Sequence, residues 1–149
     1  MVKCLKQLWA WFNGVKPLPK YDIPETTVFE KFMGIAINKY RNARGLMPLV
    51  FNQAAYEQAY LHSNYMAGEN RMTHEDFNIR VSTLFHTAKA TTVRENIAVG
   101  YKTFYQILEA WENSPEHKEN LEATDVTLMG FSEVVDVNGT FWYTLILVG

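Results

Sequence analysis

Cysteine is nearly missing from this chain of 149 residues: Cys4 stands alone, which excludes an intramolecular disulfide framework and any structural zinc site built on paired thiolates. Long apolar runs are missing as well. No stretch approaches the about 18 consecutive apolar residues of a membrane-crossing helix. Positive charge is not in excess, the formal net charge being −2, so nucleic acid is not an expected partner. No HExxH, no pair of cysteines and no close His-x-His marks a local metal site. No GxSxG elbow marks a nucleophile, and no glycine-rich loop marks a phosphate cradle. Internal repeats are also absent.

What remains is a globular composition, 48% hydrophobic and 14% aromatic with 20% charged residues, in a length that suits one domain and can bury a core unaided. Charge is unevenly placed. Lys3, Lys6, Lys16 and Lys20 occupy the first 20 residues, with no acid before Asp22.

That basic head, residues 1–14, sets Leu5, Leu8, Trp9 and Phe12 at i, i+3, i+4 and i+7, the spacing of one helical face. Gly14 stops it, and residues 15–26, with Pro17, Pro19 and Pro24, read as an extended linker. Two readings stay open: an amphipathic helix lying on a membrane surface, or one packed on the domain. Lys6 and Gln7 interrupt the apolar stretch and no small-residue cleavage site follows, so the segment is not expected to be a signal peptide. No apolar run precedes Cys4 to support its acylation.

Residues 27–149 read as the domain proper. Thr27 with Glu30 is a capping-box pattern, opening a helix to about residue 44 with Phe29, Phe32, Met33, Ala36, Ile37 and Tyr40 on one face. Asn52 caps a second helix ending near Gly68, in which His62 sits on the apolar face and reads as a core histidine. Thr73 with Asp76 predicts a third helix, with His74 in its first turn and Phe77, Val81, Leu84 and Phe85 as its buried stripe. Residues 86–94 read as loop, His86 as solvated, and Arg94–Gly100 as extended. Thr103 with Gln106 opens a fourth helix, which must stop before Ser114-Pro115. Ser114 and Pro115 then start a short fifth helix, with His117 in its first turn. Asn138-Gly139 between Val- and aromatic-rich runs predicts a type I′ hairpin. Its second strand, almost wholly apolar, is expected to be covered on both faces. The whole predicts an α+β, three-layer α-β-α sandwich with a small antiparallel sheet.

A histidine in the first turn of a helix meets the positive end of the macrodipole, which favours a neutral ring able to take a metal or a proton. Glu75, Asp76 and Glu116, close in sequence, favour the charged form. The residues alone leave both outcomes open.

In order and spacing, INKYRNARGLMPLVFN, AAYEQAYLHSNYMA, His74, RENIAVG, AWENSPEHKENL, LMGF and TFWYTLIL resemble the CAP superfamily, the SCP-like domains of cysteine-rich secretory, antigen 5 and pathogenesis-related proteins. The short bacterial branch is the most similar. The resemblance spans about residues 29–148 and implies an α-β-α sandwich around a cleft of two histidines and two glutamates, which binds a divalent ion such as zinc in some members.

Carried over, the first histidine is His74, the glutamate of the ENIA motif is Glu95, and the second histidine is His117, with Asn96 and Ser114 assigned to the ligand cleft. Ser114 stands where relatives place the second glutamate. Glu112 is no substitute, being two residues back and roughly 200° round the helix. His74, Glu95 and His117 are therefore either a site for zinc or a polar network that orders the cleft. CAP relatives include sterol and lipid binders and secreted interaction proteins. The resemblance thus implies a non-enzymatic module for a small lipid, peptide or glycan-like ligand or a protein, outside the cell or on its surface. The alternatives are a metal-dependent hydrolase with Glu95 as base, a membrane-surface protein held by residues 1–14, and, lacking a recognisable export signal, a cytoplasmic location.

Overall fold

Thr27 opens the first helix, α1 (Val28–Asn42), of a computed structural model that describes residues 22–149. The amphipathic segment 1–14 and the linker up to Tyr21 lie outside the described residues. The expected capping box is present: the Thr27 hydroxyl accepts from the Glu30 N–H at 3.1 Å, and a Glu30 oxygen accepts from the Thr27 N–H at 2.6 Å. Two orphan amides of the helix end are thus satisfied reciprocally. Met33, Ile37 and Tyr40 form the buried face, whereas Phe32, expected on it, is exposed.

β1 (Val50–Phe51) follows, a two-residue strand that the Pro-containing approach gave no reason to expect. α2 (Gln53–Glu69) starts on an Asn52 side chain that accepts from the Ala55 N–H at 2.9 Å, and ends on Asn70 at φ 48°. Asn, which tolerates the left-handed region, therefore terminates this helix two residues beyond the expected Gly68.

α3 (Phe77–Thr87) corrects the expected start. Asp76 is left-handed at φ 58° and makes no capping bond, and the Thr73 hydroxyl accepts instead from the Glu75 N–H at 3.1 Å. His74 therefore lies in the loop before the helix. Of the expected stripe Leu84 is buried, while Phe85 is exposed and the second buried residue is Arg80.

β2 (Val93–Val99), α4 (Phe104–Glu112), α5 (Pro115–Glu122), β3 (Leu128–Val135) and β4 (Phe141–Val148) complete the described chain. Thr103 and Gln106 form the second expected capping box. At α5 Pro115 takes the first helical position, but the Ser114 hydroxyl makes no capping bond, contrary to the sequence expectation.

The β3–β4 turn is also a correction. Among its residues only Gly139 has positive φ, at 79°, so it is not type I′, which needs two. The Asp136 carboxylate dictates the turn instead, accepting from the N–H groups of Asn138 and Thr140 and from the Trp142 indole.

The sheet runs β1-β3-β4-β2, with β2–β4 and β3–β4 antiparallel and β1–β3 parallel. β4 is central, and Trp142 to Val148 are all buried, as its apolar sequence requires. α2 and α3 cover one face; α1, α4 and α5 cover the other. At Gly130 a Cβ would come within 2.1 Å of the Tyr56 backbone nitrogen. The start of α2 therefore sits directly on the β3 backbone, which only glycine allows. β2 forms the opposite edge of the sheet, and the candidate residues gather there.

Candidate functional site

Side chains alternate across a strand. On β2, Ile97 packs with Met66 of α2, so Glu95 points to the α2–α3 layer and Asn96 to the layer of α5. The Glu95 carboxylate, with a side chain 2% exposed, meets three residues from the first of these layers.

Arg80 of α3 donates from Nε to Oε2 and from Nη2 to Oε1, both at 2.7 Å, the bidentate geometry that a guanidinium fits to a carboxylate. The third Arg80 nitrogen donates to the Glu75 carbonyl at 2.8 Å. His74 Nδ1 lies 2.8 Å from Glu95 Oε1; an ionised carboxylate only accepts, so this nitrogen carries the proton and Nε2 is left to solvent. The His62 Nε2–H donates to the Thr73 carbonyl at 2.6 Å and lies 3.8 Å from the same Oε1. Burial by itself would push the Glu95 carboxyl up, but the His74 and Arg80 bonds outweigh it and hold it below the usual glutamate range. Burial lowers His62, with Arg80 adding to the effect and Glu95 opposing it.

His117 belongs to the other layer. Its backbone carbonyl accepts from Asn96 Nδ2 at 3.0 Å, and Asn120 donates to Asn96 Oδ1 at 2.8 Å and to the Glu95 carbonyl at 3.2 Å. Asn96, assigned to the ligand cleft from the sequence, is fully buried. Its amide ties α5 to β2 and so fixes where His117 stands. The Trp111 indole donates to the Ile97 carbonyl at 2.9 Å, anchoring α4 to the same strand. Burial first, then the charge of His74, holds His117 below the ordinary histidine value, with Glu116 opposing.

Between these anchors lies a cleft of about 240 Å³, walled by Met72, Val99, Tyr101 and Trp111, with Ser114 and His117 supplying the polar groups. Ser114, assigned to a ligand cleft from the sequence, is among the residues that line this one. Glu112 is not: it pairs with Arg44, which also meets Glu122 at 3.1 Å.

The donor set does not fit a divalent ion held by His74, Glu95 and His117 together. Glu95 already accepts three N–H bonds, two from a cation, and has almost no exposed surface. Without it only two imidazoles remain, short of the three protein ligands of an open zinc site. Among the described residues no group of three or more His, Cys, Asp or Glu side chains is placed to hold a metal ion.

Sequence reasoning passed over Arg80 and gave His62 no place at the site. One signal for Arg80 was available: it occupies an inward position between Phe77 and Leu84, and an inward arginine demands a buried acid.

The family model described as "CAP: Cysteine-rich secretory protein family" matches residues 35–147. The chain belongs to this family. Within it, the CAP domain is 28% identical over 121 residues to the uncharacterized protein YkwD of Bacillus subtilis, an overlap covering 78% of this chain and 46% of that protein. The chain thus spans less than half the length of this curated relative. Among solved structures, an outer surface protein of Borrelia burgdorferi superposes with a TM-score of 0.75 at 20% identity, covering 84% of this chain and 95% of that one. An extracellular SCP-domain protein of Bacillus anthracis gives 0.69 at 21%, covering 89% and 44%. At these identities the likeness is one of fold. It assigns no task to the Arg80–Glu95 pair.

Proposed function

We propose that this CAP domain is a non-enzymatic binding module that receives a small apolar group of a lipid, peptide or glycan-like ligand in the cleft at the β2 edge, with His117 and Ser114 meeting the ligand's polar end. The observation that carries the reading is the full engagement of Glu95 by Arg80 and His74. A hydrolase built on this site needs Glu95 as its base, and a carboxylate saturated by a guanidinium has neither the basicity nor the access for that role. The cleft wall is apolar with few polar groups, which is the usual make-up of a binding site. Its volume suits a side chain or a short acyl group better than a whole sterol. Relatives described as outer surface and extracellular proteins support a place outside the cell or on its surface.

The test is a titration of the ¹⁵N-labelled protein with octanoate and with a short peptide ending in leucine. Saturable shifts of the Trp111 indole and the His117 ring, lost in His117→Ala, are expected. Absence of any saturable shift at these two residues, or peptide cleavage abolished by Glu95→Gln, would overturn the reading.

A further inference from the structure

A second and larger depression, about 470 Å³, lies on the far side of the domain between α1 and β1. Gly34 and Ile35 from α1, Leu49 and Phe51 from the β1 segment, and Met129 and Phe131 from β3 line it. Of these lining side chains Ile35 and Phe51 are half exposed or more. Exposed apolar side chains gathered along a groove are a common mark of an interaction surface. An added strand would have to displace Glu30 Oε1, which already accepts the outward Glu133 N–H at 2.9 Å on that edge of β3.

We propose that the occupant is the chain's own segment 5–12, whose Leu5, Leu8, Trp9 and Phe12 face packs into this groove. The described chain enters at the groove itself, since Thr26 lines one end and Asn38 the other. From Thr26 to Asn38 is about 18 Å along a helix. Residues 14–25, rich in proline, reach about 37 Å when extended, enough to bring the segment back along α1. A tether this short gives an effective concentration in the millimolar range, which a second copy of the chain cannot match in dilute solution.

Cys4, the chain's single cysteine on the flank of that apolar face, provides the test. In the full chain, Ile35→Cys places a partner thiol on the groove, and Ser82→Cys places one on exposed α3, across the sheet. Under mild oxidation at micromolar protein, the Ile35→Cys chain is expected to close an intramolecular disulfide at least ten times faster than the Ser82→Cys chain. Adding Leu8→Asp and Trp9→Asp to the Ile35→Cys chain is expected to remove that advantage, with far-UV circular dichroism of the domain retained. Equal rates for the two positions, a covalent dimer as the main product, or closure indifferent to the two aspartates would each overturn the proposal. So would flotation of the unmodified chain on anionic vesicles together with no closure of the Ile35→Cys chain in their absence, which assigns the segment to a membrane instead.

Discussion

Arg80 on α3 and Glu95 on β2 form a bidentate pair at 2.7 Å through both guanidinium contacts, with side chains 8% and 2% exposed. The pair joins a helix of one layer to the edge strand of the sheet, and it supplies Glu95 with a cation belonging to the chain itself.

Removing that cation leaves a buried carboxylate without its guanidinium, faced only by the His74 and His62 rings. Arg80→Met is expected to cost about 3–5 kcal/mol, the usual penalty for breaking one side of a buried pair. Glu95→Gln in the same chain is expected to recover a good part of the loss. Urea unfolding of the two single variants and the double variant measures this coupling, and additive losses would mean that the two side chains do not act as a pair.

Stability is expected to fall on mild acidification. His62 and His117 are both held below the ordinary 6.5, in each case by burial first. Below that value the unfolded chain takes up protons that the folded chain refuses, so stability present above about pH 6.5 is lost until the folded values are reached, at up to about 1.4 kcal/mol per pH unit for each ring. Glu95 is also depressed, so its contribution is lost only below the ordinary glutamate value of 4.5. Urea unfolding at pH 8, 6 and 5 follows this fall, and His62→Gln is expected to flatten it. Greater stability at pH 5 than at pH 8 would show that His62 folds protonated against Glu95.

Ser132 is fully buried in β3 and its hydroxyl has no hydrogen-bond partner among the described residues. Ser63 and Thr144 pair with each other at 2.9 Å. Ser132→Ala removes an unsatisfied donor at little cost in packing and is expected to leave stability unchanged or raise it by about 1–2 kcal/mol. A thermal unfolding midpoint several degrees lower would instead point to a bonded hydroxyl.

The parts of the fold carried by local chemistry were readable in advance. Thr27 with Glu30 and Thr103 with Gln106 place two helix starts within a residue, and the apolar run of β4 announces a central strand. Long-range choices were not. Thr73 and Asp76 look like a helix start, but His74 is drawn to Glu95 and the Thr73 carbonyl to His62, which keeps the segment out of the helix. Asn138-Gly139 looks like a type I′ turn until Asp136 collects three donors. At the site, the family resemblance pointed to His74, Glu95 and His117, and to Ser114 in the cleft. It did not reveal that Glu95 faces one layer and His117 belongs to the other, since that depends on strand alternation at a sheet edge. Nor did it supply Arg80, whose meaning appears only when α3 lies over β2.

Calorimetric titration of zinc into the wild-type chain near pH 7.5 tests the role of the Arg80–Glu95 pair most directly. With Arg80 occupying both oxygens of Glu95, no stoichiometric zinc binding is expected in the wild-type chain, and a site is expected to emerge only after Arg80→Met. A stoichiometric micromolar isotherm in the wild-type chain that disappears in Glu95→Gln would contradict it.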